Sequence, residues 1–168
     1  SYTVQTVLYQ AQPKQVTVLS QPLVVPAAGQ VRVSSVLLID GAASPRRQAK
    51  SAASFDPLHY QNYQLIPNLS DELPASADPQ KTVGFYFIAS VPPGTKTATV
   101  SMSFAKDGAT FVQTPPTPLP APDAQGRIPY VANIPLHIFP AGHYQVTVTV
   151  QAGGASASST ADFTTVAP

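Results

Sequence analysis

A Pro-Ala-Gly corner followed by strict alternation, within residues 139–150, is the feature that most constrains this fold. Tyr or Val occupies every second position from Tyr144 to Val150, and His, Gln or Thr occupies the positions between them. A period of two is that of a β-strand with one buried and one exposed face. The strand ends at Gly153-Gly154 and the chain returns over residues 156–166. We therefore predict a hairpin at this end of an antiparallel sheet.

The corner itself indicates a particular kind of sheet protein. A tyrosine that begins a strand just after a Pro/Gly corner resembles the tyrosine corner of immunoglobulin-type sandwiches, in which the hydroxyl bonds to upstream backbone. We predict that Pro140, Gly142 and Tyr144 form such a structural corner. Tyr144 should then be buried, with its hydroxyl bonded to the backbone near residues 138–141.

The rest of the chain also reads as strands and turns. Strand patterns occupy residues 31–39, 63–67, 82–91, 97–105, 110–113 and 127–138, and no stretch has a helical period. Residues 42–61 and 68–80 are predicted loops, and residues 115–122 are predicted to be polyproline-like without sheet bonds. Pro129 and Pro135 place the strand at 127–138 on an edge or at a bulge. The predicted fold is all-β: an antiparallel immunoglobulin-like sandwich at 27–168, preceded by a β-hairpin at 1–26.

The hairpin at 1–26 matches the hairpin at the other end of the sequence. Its tyrosine and every second residue after it match the corresponding residues of the strand that starts at Tyr144, at a constant distance along the sequence. It is thus either an assembly element or the end of a preceding immunoglobulin-like module, and a chance likeness between two Thr/Val-rich hairpins is the alternative. The residues that we expect to form its assembly interface are Tyr2, Val4, Thr6, Leu8, Val16, Val18, Leu23 and Val25.

Composition narrows the class of protein. Only 10% of the residues are charged, against about 25% in an ordinary soluble domain. The chain has no cysteine and a net charge of +1, so it has neither a disulfide framework nor the basic footprint of a nucleic-acid binder. No apolar run reaches the length of a membrane span. We expect an extracellular or cell-surface protein.

Sites for metal or catalysis are weakly indicated. Asp71, Glu72 and Asp78 lie in one loop and could hold calcium with backbone carbonyls, but they lack the spacing of a known calcium loop. His137 and His143 have no third ligand in register, so a zinc site is not predicted, and His59 stands apart from both. No Gly-x-Ser-x-Gly elbow, paired-carboxylate site or phosphate loop occurs. We predict no enzymatic activity, no cofactor and no metal.

Two further features concern the surface. The triplet Asn68-Leu69-Ser70 fits a glycosylation sequon, and a plain turn explains it equally well. Tyr60 and Tyr63, beside a predicted loop, are the best candidates for exposed aromatic contacts.

Several segments together resemble the immunoglobulin-like C-terminal region of secreted bacterial proteins related to von Willebrand factor A. The resemblance covers about residues 31–166. It rests on SSVLL at 34–38, DPL at 56–58, LIPN at 65–68, GFYF at 84–87, GRIPY at 126–130, IPL at 134–136 and PAGHY at 140–144. It implies an exported β-sandwich without catalytic residues. The Asp-x-Ser-x-Ser metal site of a von Willebrand A domain is absent from the sequence, so adhesion through that metal is not expected.

These observations lead to two functional hypotheses. The first is a bacterial structural protein that assembles through its N-terminal hairpin, with copies of itself or neighbouring immunoglobulin-like modules, into a filament or surface appendage. The second is an adhesion module of a larger secreted protein that binds a surface glycan or a protein through the loops at 41–61 and 68–80.

Overall fold

The computed structural model describes residues 2–10, 12, 14–23, 29–43 and 56–167. The described residues form strands and one 3-10 turn, Leu136–Ile138, without an α-helix. The strands are β1 (Tyr2–Gln10), β2 (Gln15–Leu23), β3 (Arg32–Val33), β4 (Leu37–Ala43), β5 (His59–Tyr60), β6 (Tyr63–Pro67), β7 (Glu72–Pro74), β8 (Thr82–Ser90), β9 (Ala98–Lys106), β10 (Ala109–Gln113), β11 (Thr117–Pro118), β12 (Arg127–Pro135), β13 (Gly142–Ala152) and β14 (Ala155–Val166). The all-β prediction is therefore confirmed.

The strands form two large sheets and one separate hairpin. Sheet I has the order β12-β8-β4-β6-β5, with β3 also paired to β8. Sheet II has the order β10-β9-β13-β14-β7, with β11 also paired to β9. The hairpin consists of β1 and β2 alone. As the two prolines predict, β12 is an edge strand.

One prediction about the sheets is wrong. Strand β7 pairs in parallel with β14, so sheet II is mixed and not purely antiparallel. Strand β7 lies inside the segment predicted as a loop at 68–80, and β11 lies inside the predicted polyproline segment at 115–122. Both strands are short and pair with residues that are distant in the sequence. A local sequence pattern does not predict such pairings.

The predicted strand at 31–39 is interrupted in its middle. Arg32 pairs with Ser90, whereas Leu37 pairs with Tyr86, so the register slips by one residue between β3 and β4. Ser34 bridges the slip: its N–H donates to the Ile88 carbonyl at 2.9 Å, and its hydroxyl accepts the Ile88 N–H at 2.9 Å. The bulge keeps Val31 and Val36 both buried despite their odd spacing.

Sheets I and II face each other across one core. Sheet I contributes Phe85 and Phe87, and sheet II contributes Phe104, Val146 and Phe163; each is at most 2% exposed. The Phe85 ring lies 5.4 Å from that of Phe104 and 5.5 Å from that of Phe163. The apolar positions with a period of two thus meet at the centre, as the alternation requires.

The corner before β13 closes this core at one end. Tyr144 is 2% exposed, and its hydroxyl donates to the Pro140 carbonyl at 2.7 Å. It therefore makes the hydrogen bond that the sequence predicts. Gly142 has a φ of 152°, and a Cβ there would lie 2.7 Å from Cε of Lys106. Lys106 in turn donates to the Ala141 carbonyl at 3.1 Å, so this close approach depends on glycine at position 142.

Candidate functional site

The hairpin of β1 and β2 exposes apolar side chains on both of its faces. Every side chain described over residues 3–9 and 14–22 is exposed. Leu8 is 65% exposed, Leu19 is 63% exposed and Tyr9 is 65% exposed. A two-stranded ribbon is only marginally stable by itself in water. This surface is therefore the strongest candidate interaction site among the described residues.

The register of the hairpin divides its side chains between two faces. Val4 pairs with Gln21, Thr6 with Leu19 and Leu8 with Thr17, and directly opposed residues share a face. We call this the even face, after the parity of its β1 residues. Val7 pairs with Val18 and Tyr9 with Val16 on the opposite, odd face.

This register divides the predicted interface between the two faces of the hairpin. Val16 and Val18 lie on the odd face, away from Val4, Thr6 and Leu8. Leu19 was not predicted, yet it lies on the even face opposite Thr6. The backbones of Tyr2 and Leu23 pair with each other at the open end of the hairpin, and Val25 lies outside the described residues. Turn length sets the relative parity of the two strands, so the face of each β2 residue follows from the register and not from the alternation of β2 alone.

The hairpin at the other end of the chain has the same register. Tyr2↔Leu23 corresponds to Tyr144↔Phe163, and Gln10↔Gln15 corresponds to Ala152↔Ala155, with every backbone pair between them in step. The two hairpins differ in the length of the connection, which is four residues between Gln10 and Gln15 and two residues between Ala152 and Ala155. The even face of the first hairpin thus corresponds to the core-facing side of β13 and β14.

A second candidate surface lies on the outer side of sheet I. It is an open groove of about 470 Å³ whose floor is at Gly84. The groove is lined by Ile39, Asp40, Tyr60, Gln61, Tyr63, Leu65, Thr82, Gly84, Val131 and Asn133. A Cβ at position 84 would lie 3.3 Å from the Ile39 Cβ, so the lack of a side chain at Gly84 leaves this part of the groove unfilled.

Tyr86 packs against Tyr60, one of the residues that line this groove. Its side chain is 2% exposed on the outer side of sheet I, where its hydroxyl donates to the Pro57 carbonyl and its ring packs edge-on to Tyr60 at 6.3 Å. Burial raises the pKa of the Tyr86 hydroxyl above its ordinary value, and the charges of Asp56 and Tyr60 raise it further. Tyr63 is 46% exposed, which agrees with the expectation of an exposed aromatic beside a loop.

The acidic loop is organised by Asn68. The Asn68 amide oxygen accepts the Ser70 N–H and hydroxyl and the Asp71 N–H. Its amide nitrogen donates to Asp40 Oδ1 at 2.8 Å and to the Glu72 carbonyl at 2.9 Å. The sequon asparagine therefore acts as the centre of a turn.

The histidines and acidic residues do not converge. His143 Nδ1 lies 2.8 Å from Thr164 Oγ1, and Asp78 Oδ1 accepts the Gln80 N–H at 2.9 Å. Within the described ranges, no cluster of three His, Asp or Glu side chains is arranged to hold a metal ion.

A scan against protein-family models found no match, and a search of curated proteins found none with significant similarity. Among the described residues, no helix is long and apolar enough to cross a membrane.

Proposed function

We propose that this chain is a non-catalytic, extracellular structural protein of bacterial origin. In this proposal it is an immunoglobulin-like sandwich that assembles through its N-terminal hairpin into a filament or surface appendage. The observation that carries the proposal is the exposed even face, whose counterpart on β13 and β14 is buried. An exposed apolar face with free strand edges favours pairing with other β structure.

The immunoglobulin-like assignment is supported by strand order. Strands β4, β8 and β12 stand side by side as strands A, B and E do in that fold. Strands β10, β9, β13 and β14 stand in the order C′, C, F and G. The Tyr144 corner precedes the strand that corresponds to F. Export is supported by the low content of charged residues.

The partners in this proposal are copies of the chain or neighbouring modules of the same kind. A hairpin that docks on a different surface of the next unit makes a heterologous contact. Such a contact builds an open series unless the rotation closes a ring. A filament of sandwiches is the expected product.

Removal of residues 1–26 tests the proposal. The described hairpin side chains are exposed, so the variant of residues 27–168 should keep its melting temperature. It should sediment as a monomer at concentrations where the intact chain forms larger particles. Equal sedimentation of the two chains would contradict assembly through the hairpin, and unfolding of the variant would show that the hairpin supports the sandwich instead.

The groove over Gly84 favours a second candidate function, the binding of a surface glycan. Tyr60 and Tyr63 offer rings for stacking on a sugar, while Gln61 and Asn133 offer amides for its hydroxyls. Asp40 brings a carboxylate and none of the described lining residues is cationic, so a neutral saccharide fits this lining better than an anionic one. Tyr63→Ala should abolish binding of neutral oligosaccharides on a glycan array, whereas Tyr9→Ala, a change at an exposed tyrosine of the hairpin, should not. Equal binding by the two variants would remove the groove from consideration.

A further inference from the structure

The surroundings of β13 and β14 show what the even face of the first hairpin lacks. Strand β9 pairs antiparallel with the outer edge of β13, and β7 pairs with the outer edge of β14. Sheet I covers their inner side, where Val146, Val148 and Val150 are fully buried. Among the described residues, β1 and β2 pair only with each other.

Exposed residues of the even face occupy positions equivalent to those of buried residues in β13. Val4 takes the position of Val146 and Leu8 that of Val150, but they are 47% and 65% exposed. Burying an apolar side chain of this size stabilises a fold. The even face therefore has the pattern of a core that its own chain leaves uncovered.

We infer that β1 and β2 are the last strand pair of a second sandwich of the same fold, whose other strands come from a neighbouring module. In that module one strand lies antiparallel on the outer edge of β1, as β9 lies on β13. A sheet like sheet I covers Val4, Leu8 and Leu19. This inference rests on the proposed function and narrows its partner.

A second folded copy of this chain does not offer that place. Its own β13 and β14 already fill the position between β9 and β7. The partner is instead a module that has the strands equivalent to β3–β12 and lacks the final pair. Uncovered even faces of purified chains would still associate with one another, because each remains apolar and exposed.

A tandem chain tests the inference directly. Residues 29–142 are joined in front of the full chain, so that Ser1 follows Gly142 and Tyr2 stands where Tyr144 normally does. The added strands then lack only a final pair, which β1 and β2 can supply. The readouts are amide hydrogen exchange of β1 and β2 and the sedimentation of the tandem chain.

We expect the tandem chain to protect the amides of β1 at least tenfold over the intact chain and to sediment as a monomer. In the tandem chain, Leu8→Asp should remove the protection because it places a carboxylate in the new core. Val7→Asp, the matched change on the odd face, should leave the protection in place. A greater effect of Val7→Asp, or an equal effect of the two changes, would overturn the inference.

Imperfect packing could by itself prevent the new sandwich from folding. The tandem chain is therefore also made with Thr6→Val and Gln21→Ala, which bring in the apolar side chains of the equivalent Val148 and Ala161. Lack of protection in this variant too would overturn the inference. The proposed function fails separately, if the intact chain and the chain of residues 27–168 sediment alike.

Discussion

The Tyr144 hydroxyl ties the corner to the core. The ring stacks on Phe163 at 5.3 Å and packs edge-on to Phe139 at 5.2 Å, while its hydroxyl reaches the Pro140 carbonyl. Lys106 Nζ lies 5.5 Å from the ring centroid on the side of the turn. A single residue thus joins the aromatic core, the corner backbone and β9.

Tyr144→Phe tests the corner. The substitution leaves the ring packing intact but strands the Pro140 carbonyl, so the free energy of unfolding should fall by about 1 kcal/mol or somewhat more. Urea denaturation measures the change. Tyr63→Phe is the control, because the Tyr63 side chain is 46% exposed and makes no hydrogen bond among the described residues. An unchanged midpoint for Tyr144→Phe would contradict the structural role of the corner.

Asn68 is a second residue whose hydrogen bonds organise a segment. Asn68→Asp keeps the acceptor but loses both donors and places a carboxylate beside Asp40. Stability should fall by about 1–3 kcal/mol. Asn133→Asp, at an exposed position of the neighbouring sheet surface, should cost much less in the same denaturation experiment. Equal losses would mean that the turn does not depend on the Asn68 amide.

At the scale of elements, the outer side of sheet I is covered by the segment at 56–60. Asp56 Oδ1 accepts the Leu58 N–H at 2.9 Å, and the Leu58 carbonyl accepts the Leu65 N–H at 2.8 Å. With the Tyr86 hydroxyl on Pro57, these bonds fix the segment over β6 and β8. Tyr60, at the end of this segment, lines the groove together with Gly84.

The raised pKa of Tyr86 predicts a dependence on alkaline pH. The folded state holds the neutral hydroxyl, whereas the unfolded chain releases its proton near pH 10. The stabilisation is therefore fully present below about pH 10 and is lost as the pH rises through the higher pKa of the folded state. Thermal unfolding from pH 8 to 11 should show a steeper loss for the intact chain than for Tyr86→Phe. Parallel curves would contradict a buried, protonated Tyr86.

At the scale of the whole molecule, two sheets share one core and a hairpin stands apart with its side chains exposed. The buried side chains lie in the part of the chain that forms sheets I and II, so this part stabilises the fold. The hairpin and the groove are the proposed interaction surfaces, because both leave apolar or aromatic side chains exposed.

Chelation provides a test at the same scale. The described acidic residues and histidines do not form a cluster, so EDTA should leave the melting temperature of the intact chain unchanged, since only an ion bound to the folded state stabilises it. Differential scanning fluorimetry with and without calcium measures this. A fall of several degrees on chelation would revive a calcium site at Asp71, Glu72 and Asp78.

The sequence by itself determined the features that depend on a few neighbouring residues. Alternation identified β9 and β13, because a period of two is a local property of a half-buried strand, and a continuous apolar run identified β8. The hydrogen bond of Tyr144 followed from the five-residue corner at 140–144. The dipeptide Asp107-Gly108 between β9 and β10 is typical of a tight hairpin turn, and both residues have the positive φ that such a turn needs.

Only the tertiary structure decided the features that depend on relations between distant strands. The parallel pairing of β7 with β14, the separation of Val18 from Leu8 onto opposite faces, and the groove over Gly84 each required a register between separate segments. A shift of one residue exchanges the two faces of a strand without changing its own alternation. Local pattern therefore says which segments are strands, and packing across the sheets decides which side chains remain exposed for a partner.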